Sequence, residues 1–230
     1  MENYEKETIA AIATALSDSG IGIVRISGEN AIYIVDSIFR SASGKKILTK
    51  VQSHMIHYGY IVDKDENIID EVMTSVMKAP KSYTMEDTVE INCHGGVLVM
   101  QKVLETVLQA GARLAEPGEF TKRAFLNGRI DLSRAEAVID VIHSQNEYAL
   151  SSSVSQLKGR LSDKIRSLRE DILYQIAFIE SALDDPEHIS LEGYPEQLAE
   201  KVTGFEKEIQ KLLATADNGR LMKDCLLYTS

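Results

Sequence analysis

Between Pro117 and Val138 the chain changes its hydrophobic period, and no single regular element can span that change. Before it, short apolar runs alternate with glycines and turn clusters, the pattern of strands interleaved with helices. After it, apolar residues recur in steps of three and four, the period of a helix with one packed face. The stretch itself, PGEFTKRAFLNGRIDLSRAEAV, holds more charge, glycine and aromatic character than core packing asks for. It therefore reads both as the seam between two domains, residues 1–118 and 119–230, and as one wall of a binding site. The expected fold class is an α/β (α+β) domain followed by an all-α helical bundle.

The 230 residues are enough for two small domains, with 44% hydrophobic and 26% charged residues, ordinary for a globular chain. No apolar run approaches the ~20 residues of a membrane helix. The start, MENYEKET, lacks the basic-then-apolar pattern of a signal peptide, so the expected location is the cytosol. Two cysteines, Cys93 and Cys225, with no CxxC, argue for free thiols and against structural zinc. A net charge of -10 opposes nonspecific nucleic-acid binding, which rests on counterion release by Lys and Arg.

The patterns predict a strand over Thr8–Thr14, a turn at Ser17–Gly20 and a strand over Ile21–Ser27. A helix then opens at Ser27–Glu29 with Ala31, Ile32, Ile34, Val35, Ile38 and Phe39 inward, and the loop Ser41–Lys46 ends it. Ser53–Val62 and Ile68–Met77 read as a hairpin about a DKDEN turn. After a polar loop holding Pro80 and Tyr83, Thr88–Cys93 reads as a strand broken at Gly95 and Gly96. Val97–Ala110 reads as a helix stopped by Gly111. Beyond the seam, Ser133 with Glu136 and Ser144 with Glu147 fit capping boxes. Leu161, Ile165, Leu168, Ile172, Ile176, Ile179 and Leu183 form a packed helical stripe, and Pro195–Ala216 a further amphipathic helix.

Four charged residues stand where packing does not require them. Arg25 interrupts an apolar strand, so it must reach solvent, a partner or a ligand; the plain alternative is an arginine at a strand end paired with a nearby carboxylate. Glu90 lies between Val89 and Ile91; a carboxylate there can accept two parallel hydrogen bonds, from an arginine or from the amino-and-ring-NH edge of a pterin or guanine. Arg123 and Arg129 bracket an apolar Ala-Phe-Leu, and the Asn127–Gly128 turn lets Arg129 project from a loop edge; the plain alternative is a pair of surface arginines. His94 before Gly95 and Gly96 reads as a hydrogen-bonded structural histidine, and the other histidines are too scattered for a metal site. No nucleophile–base pair is visible, and there is no GxxxxGK[ST] phosphate loop.

The stretches TIAAIAT…GIGIVRISG, KAPKSYTMEDTVEINCHGG and PGEFTKRAFLNGRIDLSRAEAVIDVI resemble the N-terminal half of the MnmE (TrmE) family of bacterial tRNA modification GTPases, from about Glu7 to about Asp224. The resemblance implies an N-terminal domain that binds tetrahydrofolate and forms a homodimer, similar in fold to the folate domain of aminomethyltransferases. It implies a helical domain into which a GTPase domain is inserted. By motif, it places folate contacts on Arg25, Glu90 and Arg129. It further implies 5-formyltetrahydrofolate or a related form as ligand and an MnmG-type flavoprotein as partner. The wobble uridine of certain tRNAs would be the substrate, and GTP, magnesium and potassium would serve in the full-length family.

The sequence departs from the family pattern at ALSDSG, where a proline- and glycine-rich run is common, and at DPEHIS, where a more acidic run is common. It ends in CLLYTS where the family would start its GTPase domain, so a truncated reading frame is expected, and Cys225 does not correspond to the family's tail cysteine. The alternatives are a stand-alone folate-dependent one-carbon transfer protein and a non-enzymatic interaction module.

Overall fold

The computed structural model describes residues 7–42 and 48–224, with only the backbone described over 215–224. Most of the loop expected at Ser41–Lys46, and Cys225 with the residues after it, lie outside these. The chain divides into two compact units, Met1–Ile130 and Asp131–Ser230.

The first unit is built on a seven-stranded sheet. Its strands are β1 (Ile9–Ile12), β2 (Ser19–Ser27), β3 (Phe39–Ser41), β4 (Met55–Val62), β5 (Ile68–Met77), β6 (Thr88–Gly95) and β7 (Arg113–Leu114), in the order β3-β4-β5-β6-β2-β1-β7. All neighbours are antiparallel except β1 and β7. Successive side chains in a strand point to opposite faces. In β6, Val89, Ile91 and Cys93 are buried while Glu90, Asn92 and His94 turn the other way; in β2, Val24 and Ile26 are buried while Ile23 and Arg25 are not. The apolar set packs against α1 (Ala31–Ile38) and α2 (Val97–Gln109), chiefly through Val35, Met100, Val103 and Val107. Each large apolar side chain so buried contributes roughly 1.5–3 kcal/mol. Arg25 and Glu90 therefore cost no burial of charge: the strands that looked near-continuously apolar keep a second face for them.

The sheet predictions hold with small shifts. Ile68–Met77 is a strand over its full predicted length. β2 begins at Ser19, inside the predicted turn, and β6 runs on through Gly95. Phe39 leaves the helix and starts β3, where its ring fills the space beside Gly59; a Cβ on Gly59 would collide with the Arg40 carbonyl and that ring. The helix that looked set to open at Ser27–Glu29 starts at Ala31, because Ser27 is still paired in the sheet and its hydroxyl is held by Thr84 and Glu86. The unit closes with α3 (Glu119–Leu126), entered through Gly118 at φ 74°.

The second unit contains α4 (Leu132–His143), α5 (Glu147–Leu157), α6 (Arg160–Asp184) and α7 (Tyr194–Asp224). Neither serine predicted to cap a helix does so. Asp131 caps α4 by accepting from the Arg134 amide, and Asn146 caps α5 by accepting from the Ala149 amide. Asp and Asn accept at least as well as Ser at this position. Ser133 instead hydrogen-bonds the Asp131 carboxylate, and Ser144 ends α4 by donating to the Asp140 carbonyl. The α6 stripe differs from expectation as well. Of its seven residues only Leu168 is buried, and Ile165, Ile172, Ile176 and Leu183 are exposed among the described residues. The buried line runs Leu168, Gln175, Ala182 at a seven-residue spacing. Gln175 belongs there because Tyr194 and Lys201 of α7 both donate to its side-chain oxygen.

Candidate functional site

Arg25 and Glu90 face each other in register across β2 and β6, on the sheet face away from α1 and α2. Arg25 Nε donates to Glu90 Oε1 at 2.8 Å, and both side chains stay partly exposed. The alternative of an arginine–carboxylate pair is thus what the geometry presents. It does not exhaust either group. The guanidinium Nη atoms and Glu90 Oε2 make no hydrogen bond among the described residues. A carboxylate with free lone pairs, flanked by a free two-nitrogen edge, can still engage a ligand that offers both donors and acceptors.

An aromatic wall rises over this pair. The Arg25 guanidinium carbon lies 5.6 Å from the Tyr83 ring centre and 5.7 Å from that of Phe120. Arg129 approaches the same Tyr83 ring at 4.8 Å. Tyr83 is thus the element that brings Arg25 and Arg129 into one site, from residues 104 positions apart by number. Cation–ring contacts within about 6 Å contribute ~0.5–1 kcal/mol at exposed sites, enough to orient a guanidinium. Sequence reasoning noted Tyr83 only as a loop residue and passed over Phe120. The available signals were an aromatic in an otherwise polar loop and the aromatic content of the Pro117–Val138 stretch.

The loop between β5 and β6 is fixed by a buried polar network. Ser27 Oγ lies 2.6 Å from Thr84 Oγ1 and donates to Glu86 at 2.8 Å. Asn127 donates to the Thr84 carbonyl at 2.6 Å, and the Tyr83 hydroxyl lies 3.0 Å from Thr121 Oγ1. Arg123, one of the two arginines weighed above as surface residues, is 5% exposed and sits at the centre. It donates to Glu86, to Glu119 and to the Glu7 carbonyl. Burial pushes the Glu119 carboxyl up, but donation from Arg113, the Glu116 amide and Arg123 outweighs it and holds the group down at about 2. Arg129 follows from the same local logic. Gly128 adopts φ 77°, the Arg129 amide returns to the Ala124 carbonyl, and the side chain leaves the helix end toward Tyr83.

The strand-to-helix junction at β6 has a separate arrangement. His94 donates its amide to Asp70 Oδ2 at 2.8 Å, and its Nδ1 lies 2.7 Å from Asp70 Oδ1. This hydrogen bond and the adjacent charge raise the His94 pKa above its ordinary value. His94 is thus a hydrogen-bonded histidine, as expected. Burial pushes the Cys93 thiol up to about 11, where it is a poor nucleophile. No group of three or more potential metal ligands clusters among the described residues.

An α/β unit with a paired Arg–Glu under an aromatic loop, joined to a helical unit, defines a two-part class of protein. Residues 8–129 match the family model described as "GTP-binding protein TrmE N-terminus", and residues 132–226 match the "MnmE helical domain". The chain belongs to the TrmE/MnmE family. It is 61% identical over 218 residues to the tRNA modification GTPase MnmE of Lachnoclostridium phytofermentans, covering 95% of this chain and 47% of that one. It is 50% identical over 222 residues to the MnmE of Bacillus subtilis, covering 96% and 48%. It is 52% identical over 224 residues to that of Geobacillus kaustophilus, covering 96% and 48%. The chain spans about half the length of the curated relatives it matches. Among the described residues no helix is long and apolar enough to cross a membrane.

Proposed function

We propose that the first unit binds a reduced folate, 5-formyltetrahydrofolate or a related one-carbon form, at Arg25, Glu90 and Arg129, and serves tRNA modification. The observation that carries this reading is the Arg25–Glu90 pair lying under Tyr83, with Arg129 on the same ring. A pterin offers a flat ring and an edge of adjacent N–H donors. Glu90 supplies the acceptor for that edge, the free nitrogens of Arg25 a donor for ring oxygens, and Tyr83 and Phe120 apolar surface for the plane. When bound, the folate would supply the one-carbon unit; the chain's own residues bind and orient it.

In this reading the first unit also pairs two copies of the chain. The one-carbon unit goes to the wobble uridine of tRNA together with an MnmG-type flavoprotein. The sequence contains no GxxxxGK[ST], so the 230 residues are expected to bind the folate without hydrolysing GTP. GTPase activity in the purified chain would contradict that part.

Calorimetry with 5-formyltetrahydrofolate on the intact chain and on Glu90→Ala tests the site. Losing a charged two-point contact costs roughly 2–4 kcal/mol, since hydrogen bonds to charged groups contribute about 1.5–3 each and add incompletely. Equal affinity of the two proteins would remove Glu90 from the site. Absence of binding by the intact chain would remove the folate.

A further inference from the structure

We propose that the cleft beside Tyr83 is an anion subsite that takes a chain of carboxylates, the poly-γ-glutamyl tail of a folate, and so selects tailed over single-glutamate forms. This rests on the folate reading above.

The cleft is a shallow, wide-open depression of about 470 Å³, lined by His54, Met77, Pro80, Lys81, Ser82, Tyr83, Met85 and Arg129. It shares Tyr83 and Arg129 with the Arg25–Glu90 site, which puts it next to a ligand bound there. No carboxylate lines it, in a chain whose net charge is -10. The first unit has five arginines: Arg25, Arg40, Arg113, Arg123 and Arg129. The first four are ion-paired to Glu90, Glu66, Glu119 and Glu86 respectively. Arg129 makes no ion pair among the described residues; it is held on the Tyr83 ring instead, with its charge uncompensated. Lys81, likewise without an ion pair among the described residues, lines the same cleft.

Positive charge alone would suit any anion. The walls narrow the choice. Met77, Met85 and Pro80 are apolar, and methionine adapts to irregular aliphatic partners. A γ-glutamyl chain alternates carboxylates with pairs of methylenes, which matches cations set among apolar walls better than a compact phosphate does. The backbone adds a second observation. His54 and Met85 adopt φ 65° and 61°, and both line this cleft. Non-glycine residues held in the left-handed region cost energy and cluster at ligand sites.

The test is direct binding of 5-formyltetrahydrofolate carrying one or five γ-linked glutamates to the full chain and to Lys81→Gln, at low and raised salt. Each exposed charge pair contributes modestly, so the pentaglutamate is expected to bind roughly three- to tenfold tighter. The ratio should shrink as salt screens the cleft and fall toward one in Lys81→Gln, with Lys81→Arg restoring it. Equal binding of the two ligands by the native chain, or an unchanged ratio in Lys81→Gln, would overturn the subsite while leaving the folate site standing. Failure of both ligands to bind would overturn both.

Discussion

Arg25 and Glu90 are register partners on adjacent antiparallel strands and share one hydrogen bond, Nε to Oε1 at 2.8 Å. Partly exposed pairs of this kind stabilise a fold little, about 0–1 kcal/mol. Their contribution to a bound ligand is far larger if the site is used. Glu90→Ala and Arg25→Ala, alone and combined, are therefore expected to change urea-unfolding stability by about 1 kcal/mol or less, with weak coupling. Affinity for 5-formyltetrahydrofolate should fall by roughly 30-fold or more in each single variant, the fold-change of about 2 kcal/mol. A stability loss comparable to the affinity loss would make the pair structural.

Arg123 behaves in the opposite sense. Its guanidinium is buried between Glu86 and Glu119 and also donates to the Glu7 carbonyl. Removing it takes the guanidinium from two carboxylates at once, leaving Glu119 with Arg113 and the Glu116 amide, and Glu86 with the Ser27 hydroxyl alone. Breaking a buried charge network costs about 3–5 kcal/mol. Arg123→Ala is expected to lose that much in urea unfolding, while Lys122→Ala next to it, an exposed residue with no ion pair among the described residues, should change stability by under about 0.5 kcal/mol. Equal effects from the two would show that the network contributes nothing.

The contrast between these two arginines shows what could be read from sequence. Arg25 was conspicuous because a charge broke a local apolar pattern, and alternation in β2 and β6 places it and Glu90 on one face. Arg123 sits in a helix of mixed polarity, and its burial depends on Glu86 and the Glu7 carbonyl, 37 and 116 positions away. No local pattern carries such partners. The same limit explains Tyr83, whose role follows from where Arg25 and Arg129 meet. The caps failed for a nearer reason. Asp131 and Ser133 are both competent acceptors two residues apart, and composition alone does not choose between them. In α6 the apolar steps were real, but burial followed Leu168, Gln175 and Ala182, and the polar member of that line, Gln175, is held by partners on α7, Tyr194 and Lys201, that no local pattern in α6 announces.

The Asp70–His94 pair makes a pH prediction. Hydrogen bonding to Asp70 raises the His94 pKa above its ordinary value of 6.5, so the charged ring is favoured in the folded chain. A raised folded pKa gives a contribution fully present below the unfolded value and lost as pH rises through the folded one. The His94 ring protons are expected to titrate by NMR with a midpoint above 6.5, and Asp70→Asn should bring the midpoint down. An unchanged midpoint in that variant would break the assignment.

Asp131 combines a cap with a depressed pKa, and the two can be separated. Its carboxylate accepts from the Arg134 amide and from the Ser133 and Ser162 hydroxyls, tying the start of α4 to α6. Burial pushes this carboxyl up, yet the hydrogen bonds from Ser162, the Arg134 amide and Ser133, with the nearby Arg134 charge, outweigh it and hold the group at about 2. A depressed folded pKa gives stability that is present above the unfolded value, near 3.8, and is lost as pH falls through about 2. Asp131→Ala removes cap and charge together and is expected to cost about 0.5–2 kcal/mol at neutral pH, read from the far-ultraviolet helix signal on heating. Asp131→Asn keeps a side-chain oxygen for the Arg134 amide, so it should lose less than the alanine variant. It has no proton to gain, so it should also lack this residue's share of the stability decline between pH 4 and 2. If the asparagine variant declined as steeply as the native chain over that interval, the acid sensitivity would belong to other carboxylates, with Glu119, also held at about 2, the next to replace.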